Sequence, residues 1–244
     1  MTQPMTQPMD QPMDQIVLGY DGTDFAMQAL DWALDEAELR KLPLTVAHAW
    51  QWPYGEADEE AKAHLRKAAE HVLWHGADCA RQSSLGVRVE TDLYEGPAAG
   101  RLVELSADAA LVVVGSRGLS ALPRAAMGSV AGYVAANAAC PVIVVRGPGP
   151  LPATGDPGPI VVADRHADAA VLDFAFEEAE LRQLPLVAHA TDLSGWTSRH
   201  PGVRVEQADD RRPAYLMVTG RKRAAHVGGP GFLIQHAPCP VAVV

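Results

Sequence analysis

A glycine-rich segment at residues 112–132, VVVGSRGLSALPRAAMGSVAG, carries residue types suited to binding a phosphate group. Gly115 and Gly118 follow an apolar run, and glycines there let the backbone turn tightly and approach a ligand closely. Nine residues later, Gly128-Ser129-Val130 begins a predicted helix, whose first N–H groups and dipole attract an anion. Arg117, between the first two glycines, could add charge-assisted hydrogen bonds to phosphate oxygens. The segment therefore predicts a phosphate-binding loop.

A carboxylate, Asp21, follows the first apolar run of the chain within LGYDGT at 18–23. In an open parallel sheet, ligands bind beyond the carboxyl ends of the strands, at the point where strand order reverses. If the first and fourth strands are neighbours, Asp21 and the Gly115 loop meet at that point, where the carboxylate could accept from ribose hydroxyls. Each glycine alone is better explained as a simple turn, but the combination with Asp21 favours a nucleotide site.

The elements that must position these residues alternate between apolar runs and helical patterns. Strands are predicted at 16–20, 44–50, 87–94, 110–116 and 141–146, with helices at 24–42 and 57–82, a short one entered through Pro97, and one from Ser129. Strands separated by helices imply right-handed parallel crossovers, and their Val- and Ile-rich composition suits strands covered on both faces. This pattern predicts an α/β fold with a doubly wound, parallel, five-stranded sheet.

The second part of the chain repeats the first. DWALDEAELRKLPL at 31–44 matches DFAFEEAELRQLPL at 173–186, and CPVIVV at 140–145 matches CPVAVV at 239–244. The separation between matched residues falls from 142 to 99 along the chain, so the second copy has lost residues in its helical segments and its glycine loop. We therefore predict a second doubly wound, five-stranded sheet with fewer helices than the first.

Composition divides the chain into four parts. Residues 1–14, MTQPMTQPMDQPMD, form a Pro- and Gln-rich repeat that we expect to be a disordered tail. Residues 147–158, GPGPLPATGDPG, have the Pro and Gly content of a linker. The two sheet-forming modules are then expected at 15–146 and 159–244.

Charge and composition exclude several classes of partner. A net charge of −10 leaves no basic field to attract nucleic acid or an anionic membrane, and no apolar segment approaches the roughly 18 residues of a membrane span. Three cysteines without a regular framework indicate the reducing cytoplasm. His71 and His75 have a chelating spacing but no evident third ligand, so we predict no metal site. We expect a soluble, cytoplasmic protein.

One family resemblance rests on the glycine segment. Val114-Gly115-Ser116-Arg117-Gly118, nine residues and then Gly128-Ser129-Val130 resembles the ATP-binding signature G-x2-G-x9-G-[ST] of the universal stress protein family. LGYDGT at 18–23 resembles the first strand and acidic turn of that family, and the repeat extends the likeness from 16–146 to the end of the chain. The resemblance implies an adenine-nucleotide alpha-hydrolase-like fold in tandem, with modules that pair through their final strands.

The resemblance also implies a role for each site residue. Asp21 corresponds to the ribose-facing carboxylate, and the backbone of Ala49, after the second strand, to the adenine contact. The phosphates would be bound by Gly115, Arg117, Gly118, Gly128, Ser129 and Val130. In the second module Asp164 is taken as the matching carboxylate, but Arg165 stands in the place of Gly22 and Arg223 in the place of the second glycine. We therefore expect an intact ATP site in the first module only.

An ATP-binding protein that regulates stress adaptation is the function that the resemblance implies. The chain has no P-loop lysine and no second acidic group placed for a metal, so we expect no catalytic residues and weak ATP hydrolysis at most, with Mg²⁺ left open as a companion of ATP. Two alternatives remain: a nucleotide-hydrolysing or adenylyl-transferring enzyme on the same fold, and a ligand-free structural pairing module. The depleted helical layer of the second module predicts a homodimer formed through its sheet.

Overall fold

The computed structural model describes residues 14–52, 55, 58–116, 129–146, 157–189, 192–206, 213–221 and 230–244. The strands are β1 (Ile16–Gly19), β2 (Leu44–Trp50), β3 (Val89–Glu95), β4 (Leu111–Gly115), β5 (Val142–Val145), β6 (Ile160–Val162), β7 (Leu186–Val187), β8 (Val205–Glu206), β9 (Leu216–Thr219) and β10 (Val241–Val243). The helices are α1 (Asp24–Arg40), α2 (Glu59–Ser83), α3 (Ala98–Leu105), α4 (Ser129–Asn137), α5 (Ala169–Arg182), α6 (Ser194–Arg199) and α7 (Pro230–His236), and a 3-10 turn spans Ser106–Asp108. We call residues 14–146 the first half and residues 157–244 the second half.

All described strands join one ten-stranded sheet in the order β3-β2-β1-β4-β5-β10-β9-β6-β7-β8. Within each half the strands are parallel, and the strand order reverses between β1 and β4, which confirms the predicted doubly wound α/β fold. The sequence predicts two five-stranded sheets in modules that pair through their final strands, and β5 pairs antiparallel with β10, so that the two sets of strands form one continuous sheet. This pairing leaves neither β5 nor β10 as an exposed edge.

The first helix of each half begins and ends in the same way. Thr23 caps α1 and Asp168 caps α5, each by a side-chain oxygen that accepts from a backbone N–H in the first turn. Both helices end at a non-glycine residue in the left-handed conformation, Lys41 with φ 56° and Gln183 with φ 55°. In α1 the next residue, Leu42, donates to the carbonyl of Ala37 at 3.0 Å, which completes a Schellman motif. The C-terminal ends agree with the internal repeat in the sequence, whereas α5 has 14 residues against 17 in α1 and therefore begins three residues later in the repeat.

A buried cluster of charges joins α1 to α5, and we call Glu36, Arg40, Glu178 and Arg182 the charge quartet. Arg40 lies 3.0 Å from Glu36 and 2.5 Å from Glu178, and Arg182 lies 2.9 Å from Glu178 and 2.5 Å from Glu36. Both glutamate side chains are 0% exposed. Glu36 and Arg40 occupy the same positions in the repeat as Glu178 and Arg182. Each half therefore contributes the same Glu–Arg pair to the contact, as in a twofold interface. The surrounding titratable groups are Asp35, Glu177 and Tyr215.

Because of the charge quartet, we expect the free energy of unfolding to fall as pH rises. Burial and the neighbouring Glu178 carboxylate raise the pKa of Glu36 from 4.5 to about 7, although Arg182 and Arg40 act to lower it. The folded protein therefore binds this proton more tightly than the unfolded chain, and the stabilisation is present below pH 4.5 and lost as pH rises through 7. Between pH 6 and 8.5 we expect this group to remove about 1–2 kcal/mol from the free energy of unfolding. Urea unfolding of the wild type and Glu36→Gln at both pH values checks this, and identical pH profiles for the two proteins would contradict it.

The other face of the sheet carries α3, α4 and α7 over a core that both halves share. Val134 and Ala135 of α4 and Ile234 of α7 are all at most 3% exposed and belong to one apolar cluster, together with side chains of β5 and β10. The packing of α4 therefore depends on both halves of the chain. Among the described residues, no helix combines the length and the apolar composition that crossing a bilayer requires.

Candidate functional site

A cavity opens at the point where strand order reverses. β1 and β4 are neighbours, with Gly19 opposite Val114, so the segments that follow the two strands lie side by side. The cavity measures about 610 Å³, and its walls come from the ends of β1, β2 and β4, the start of α3 and the first turn of α4. This volume lies within the range of small-molecule sites, about 300–1,000 Å³. The crevice is where an open parallel sheet places its ligand.

The structure brings several of the predicted site residues to this cavity. Asp21, Ala49, Gly115 and Val130 line it, and Ser129 is the first residue of α4. Arg117, Gly118 and Gly128 lie outside the described residues. Three segments that are distant in sequence therefore meet around one space.

Asp21 is held in place by the turn that leads from β1 into α1. Its Oδ1 accepts from the Thr23 backbone N–H at 3.1 Å and from the Thr23 hydroxyl at 2.7 Å. The Thr23 hydroxyl oxygen in turn accepts from the N–H of Ala26 at 3.3 Å and caps α1. Gly22 has φ +81°, a left-handed conformation that favours glycine. The turn therefore fixes the carboxylate at the wall of the cavity.

His48 is a further polar side chain in the cavity wall, and the motifs do not include it. Its Nδ1 lies 2.7 Å from the backbone carbonyl oxygen of Tyr20. Because a carbonyl can only accept, Nδ1 carries the hydrogen, and Nε2 of the neutral ring is an acceptor. The available signal was its position two residues before the end of β2, near the carboxyl edge of the sheet.

Arg101 of α3 supplies a cation to the cavity wall, and the motifs did not indicate it either. Its guanidinium makes a bidentate contact with the Asp92 carboxylate, with nitrogen–oxygen distances of 3.0 and 2.7 Å. It also donates to the Glu104 carboxylate at 3.2 Å. It also lies 5.3 Å from the centre of the Tyr94 ring. With two carboxylates around it, Arg101 is better suited to fixing α3 against β3 than to neutralising a ligand.

Gly115 is required by packing as well as by its place at the cavity. A Cβ at this position would lie 3.0 Å from the backbone carbonyl oxygen of Phe25, in the first turn of α1. Backbone cannot move aside as a flexible side chain can, so any larger residue would push α1 away from β4. Substituting Gly115 would therefore disturb the fold, and other positions give cleaner tests of binding.

His75, the second of the two histidines with chelating spacing, contacts the tyrosine that precedes Asp21. Its Nδ1 lies 3.0 Å from the hydroxyl of Tyr20, whose ring packs against Gly76. Within the described part of the chain, no group of three or more His, Cys, Asp or Glu side chains is placed to hold a metal ion. His75 thus supports the β1 end of the cavity from α2.

The strand register corrects the sequence match between Asp164 and Asp21. Ile16 N–H donates to the carbonyl of Pro43 at 2.9 Å, and Ile160 N–H donates to that of Pro185 at the same distance. Ile160 is therefore the counterpart of Ile16, and Asp164 is the counterpart of Tyr20 rather than of Asp21. Arg165 occupies the position that Asp21 has in the first half.

Asp164 has a structural role in the second half. It is buried, and its carboxylate accepts from the Thr219 hydroxyl at 3.2 Å and from the Gly220 N–H at 2.8 Å. These bonds tie the end of β6 to the end of β9, across the place where the first half has its cavity. A cation at the position of Asp21 and a carboxylate bonded to its own sheet both disfavour a ribose there.

Comparison with known proteins points to one family. The sequence profile of the universal stress protein family matches residues 13–146. A universal stress protein of Mycobacterium tuberculosis (strain CDC 1551 / Oshkosh) is 33% identical over 264 residues, which cover 94% of this chain and 95% of the relative. One of Mycolicibacterium smegmatis (strain ATCC 700084 / mc(2)155) is 29% identical over 287 residues, covering 94% and 96%. The crystal structure of a universal stress protein from Archaeoglobus fulgidus DSM 4304 shares the fold, with a TM-score of 0.69, 17% identity and coverage of 95% and 96%.

Proposed function

The chain belongs to the universal stress protein family, and from that premise we propose that it binds ATP in its first half and acts as a nucleotide-responsive regulator of stress adaptation. The observation that carries the proposal is the cavity where strand order reverses, at which Asp21, His48 and the first turn of α4 converge. Its size and its position at the carboxyl edge of the sheet are those of a nucleotide site.

We propose a place in the cavity for each part of ATP. The adenine fits beside the backbone of Ala49 at the end of β2, and the ribose hydroxyls fit against the Asp21 carboxylate. The phosphates are proposed to lie at the start of α4, where Val130 and Ala131 line the cavity and the first helical N–H groups favour an anion. Gly115, Ser129, Arg117, Gly118 and Gly128 complete the proposed phosphate site.

Binding is better supported than turnover. Among the described residues that line the cavity, Asp21 is the single carboxylate, whereas phosphoryl transfer commonly uses further groups to hold Mg²⁺ and to orient the nucleophile. We therefore propose that Mg²⁺ enters with ATP and that hydrolysis is weak at most. A metal-dependent turnover rate comparable to that of dedicated ATPases would favour the enzyme alternative.

Calorimetric titration with Mg-ATP tests the proposal. We expect saturation at about one ATP per chain. Asp21→Asn should weaken the binding of ATP and of adenosine alike, by roughly 10- to 100-fold, because it removes charge-assisted hydrogen bonds to the ribose. Asparagine keeps the oxygen that accepts from Thr23, so the turn should persist. Asp108→Asn, at an exposed residue that does not line the cavity, is the control and should leave ATP affinity unchanged. Absence of binding by folded wild type, or two ATP per chain, would contradict the proposal.

Self-association through the second half is a further part of the proposal. Val161 of β6 and Met217 of β9 are neighbours in register, and both are only partly buried. Such an apolar stretch of sheet supports contact with a second copy. A monomer at micromolar concentration in sedimentation would overturn this part.

A further inference from the structure

Arg221 extends from the second half of the chain to the helix that begins the proposed phosphate site. It follows β9, and its guanidinium donates to the carbonyl oxygens of Ala138 through Nη1 and Cys140 through Nη2. Its backbone N–H also donates to the carbonyl of Val244 at 3.0 Å. Arg221 is therefore anchored in the second half, while its side chain holds residues that directly follow α4.

A guanidinium group can stabilise the C-terminal end of a helix. The last carbonyl groups of a helix have no partner within it, and they form the negative end of the helix dipole. Ala138 N–H still donates to Val134 at 2.9 Å, so the carbonyl of Ala138 belongs to the helix end that Arg221 caps. Arg221 donates to this carbonyl and to that of Cys140, in the segment between α4 and β5, so it stabilises the C-terminal end of the helix and the turn that follows it.

The opposite end of the same helix faces the cavity. α4 has nine residues, so its two ends lie about 13 Å apart. Val130 and Ala131 of the first turn line the cavity, whereas Ala138 and Cys140 are held by Arg221. A shift or a tilt of the held end would therefore change the direction of the N–H groups at the cavity.

α4 depends on tertiary contacts for its position. It is short and contains Gly132, and helices of this length are marginal without support from packing. Its buried side chains share a core cluster with Ile234 of α7, so part of the support comes from the second half. Arg146 makes a comparable contact in the other direction, donating to the carbonyl of Ile234.

We propose that Arg221 is a positioning residue for the phosphate-binding end of α4, and that the second half, which lacks a counterpart of Asp21, serves the first half by holding this helix. The inference rests on the proposed function, since it assumes that ATP phosphates bind at the start of α4. It explains how an eroded repeat contributes to a nucleotide site in the other half, through a contact far from the ligand.

Arg221→Met tests the inference, because methionine keeps much of the side-chain length and removes both donors. We expect ATP to bind about five- to tenfold more weakly and adenosine, which has no phosphates, to bind as in the wild type. Arg221→Lys keeps the charge and should recover part of the ATP affinity. Arg146→Met is the control for loss of a guanidinium contact between the halves that does not involve α4 directly, and it should weaken ATP binding less than Arg221→Met does. Hydrogen exchange of the α4 amides should be faster in Arg221→Met than in Arg146→Met.

The outcomes separate the inference from the function on which it rests. If folded wild type binds no ATP, the proposed function fails. If wild type binds ATP and Arg221→Met binds it equally well, the inference alone is overturned. Equal weakening of ATP and adenosine in Arg221→Met, or unchanged exchange of the α4 amides, would also overturn it, because either result would mean that Arg221 does not act through the phosphate end of α4.

Discussion

Replacing Arg182 with methionine is expected to lower the free energy of unfolding by about 3–5 kcal/mol at pH 7.5. Arg182 is 5% exposed and donates to both Glu36 and Glu178, which are fully buried. Without it, two buried carboxylates share the single guanidinium of Arg40, and breaking a buried ion cluster on one side leaves charge uncompensated in the interior. Urea unfolding followed by circular dichroism measures the change.

An exposed ion pair provides the matched control for this prediction. Arg66 lies 3.0 Å from Glu70 on α2, with side chains 65% and 50% exposed. Because solvent screens such a pair, Arg66→Met should change the free energy of unfolding by less than about 0.5 kcal/mol. Equal and small effects of Arg66→Met and Arg182→Met would show that the charge quartet does not stabilise the contact between the halves.

Replacing Val130 with glutamate is expected to weaken ATP binding by about a hundredfold or more. Val130 lies in the first turn of α4 and lines the cavity, so the new carboxylate would face the phosphates. Like charges that are brought together at a partly desolvated site cost several kcal/mol. An acidic residue in the first turn also interacts favourably with the helix dipole, so α4 should still form. Calorimetric titration with Mg-ATP measures the loss.

Val130→Gln separates the effect of charge from that of size. Glutamine has nearly the shape of glutamate, so any steric obstruction or loss of apolar packing at Val130 should be similar in the two variants. We expect Val130→Gln to lose less than about tenfold in ATP affinity, because it adds no like charge. Equal losses in both variants would mean that Val130 does not face the phosphates.

The positions of several residues around the cavity follow from local sequence pattern. Val- and Ile-rich runs locate β1 and β4, and the alternation with helices requires parallel strands whose carboxyl ends meet. Asp21 and Gly115 each follow such a strand directly, so their approach to one another follows from the fold class. The position of Ser129 at the start of α4 follows equally from its place after Gly128.

Other parts depend on contacts that a sequence pattern does not encode. Asp164 is matched wrongly because the cap of α1 lies seven residues after Ile16, whereas the cap of α5 lies eight after Ile160. The segment from the first strand residue to the helix cap is thus one residue longer in the second half, and sequence comparison alone did not locate the additional residue. Arg101 reaches the cavity through α3, which carries no recognisable motif. Charged residues of the quartet lie in helices where an exposed face is the usual explanation, although their repetition in both copies was a visible signal.

The central claim is that one ATP binds in the first half with its phosphates at the start of α4. Diffraction from crystals grown with Mg-ATP tests it most directly. We expect density for adenine beside Ala49, for ribose against Asp21, and for phosphates at the N–H groups that begin α4, with none at the matching place beside Arg165. Density for the nucleotide in the second half, or an empty first-half cavity at saturating ATP, would contradict the claim.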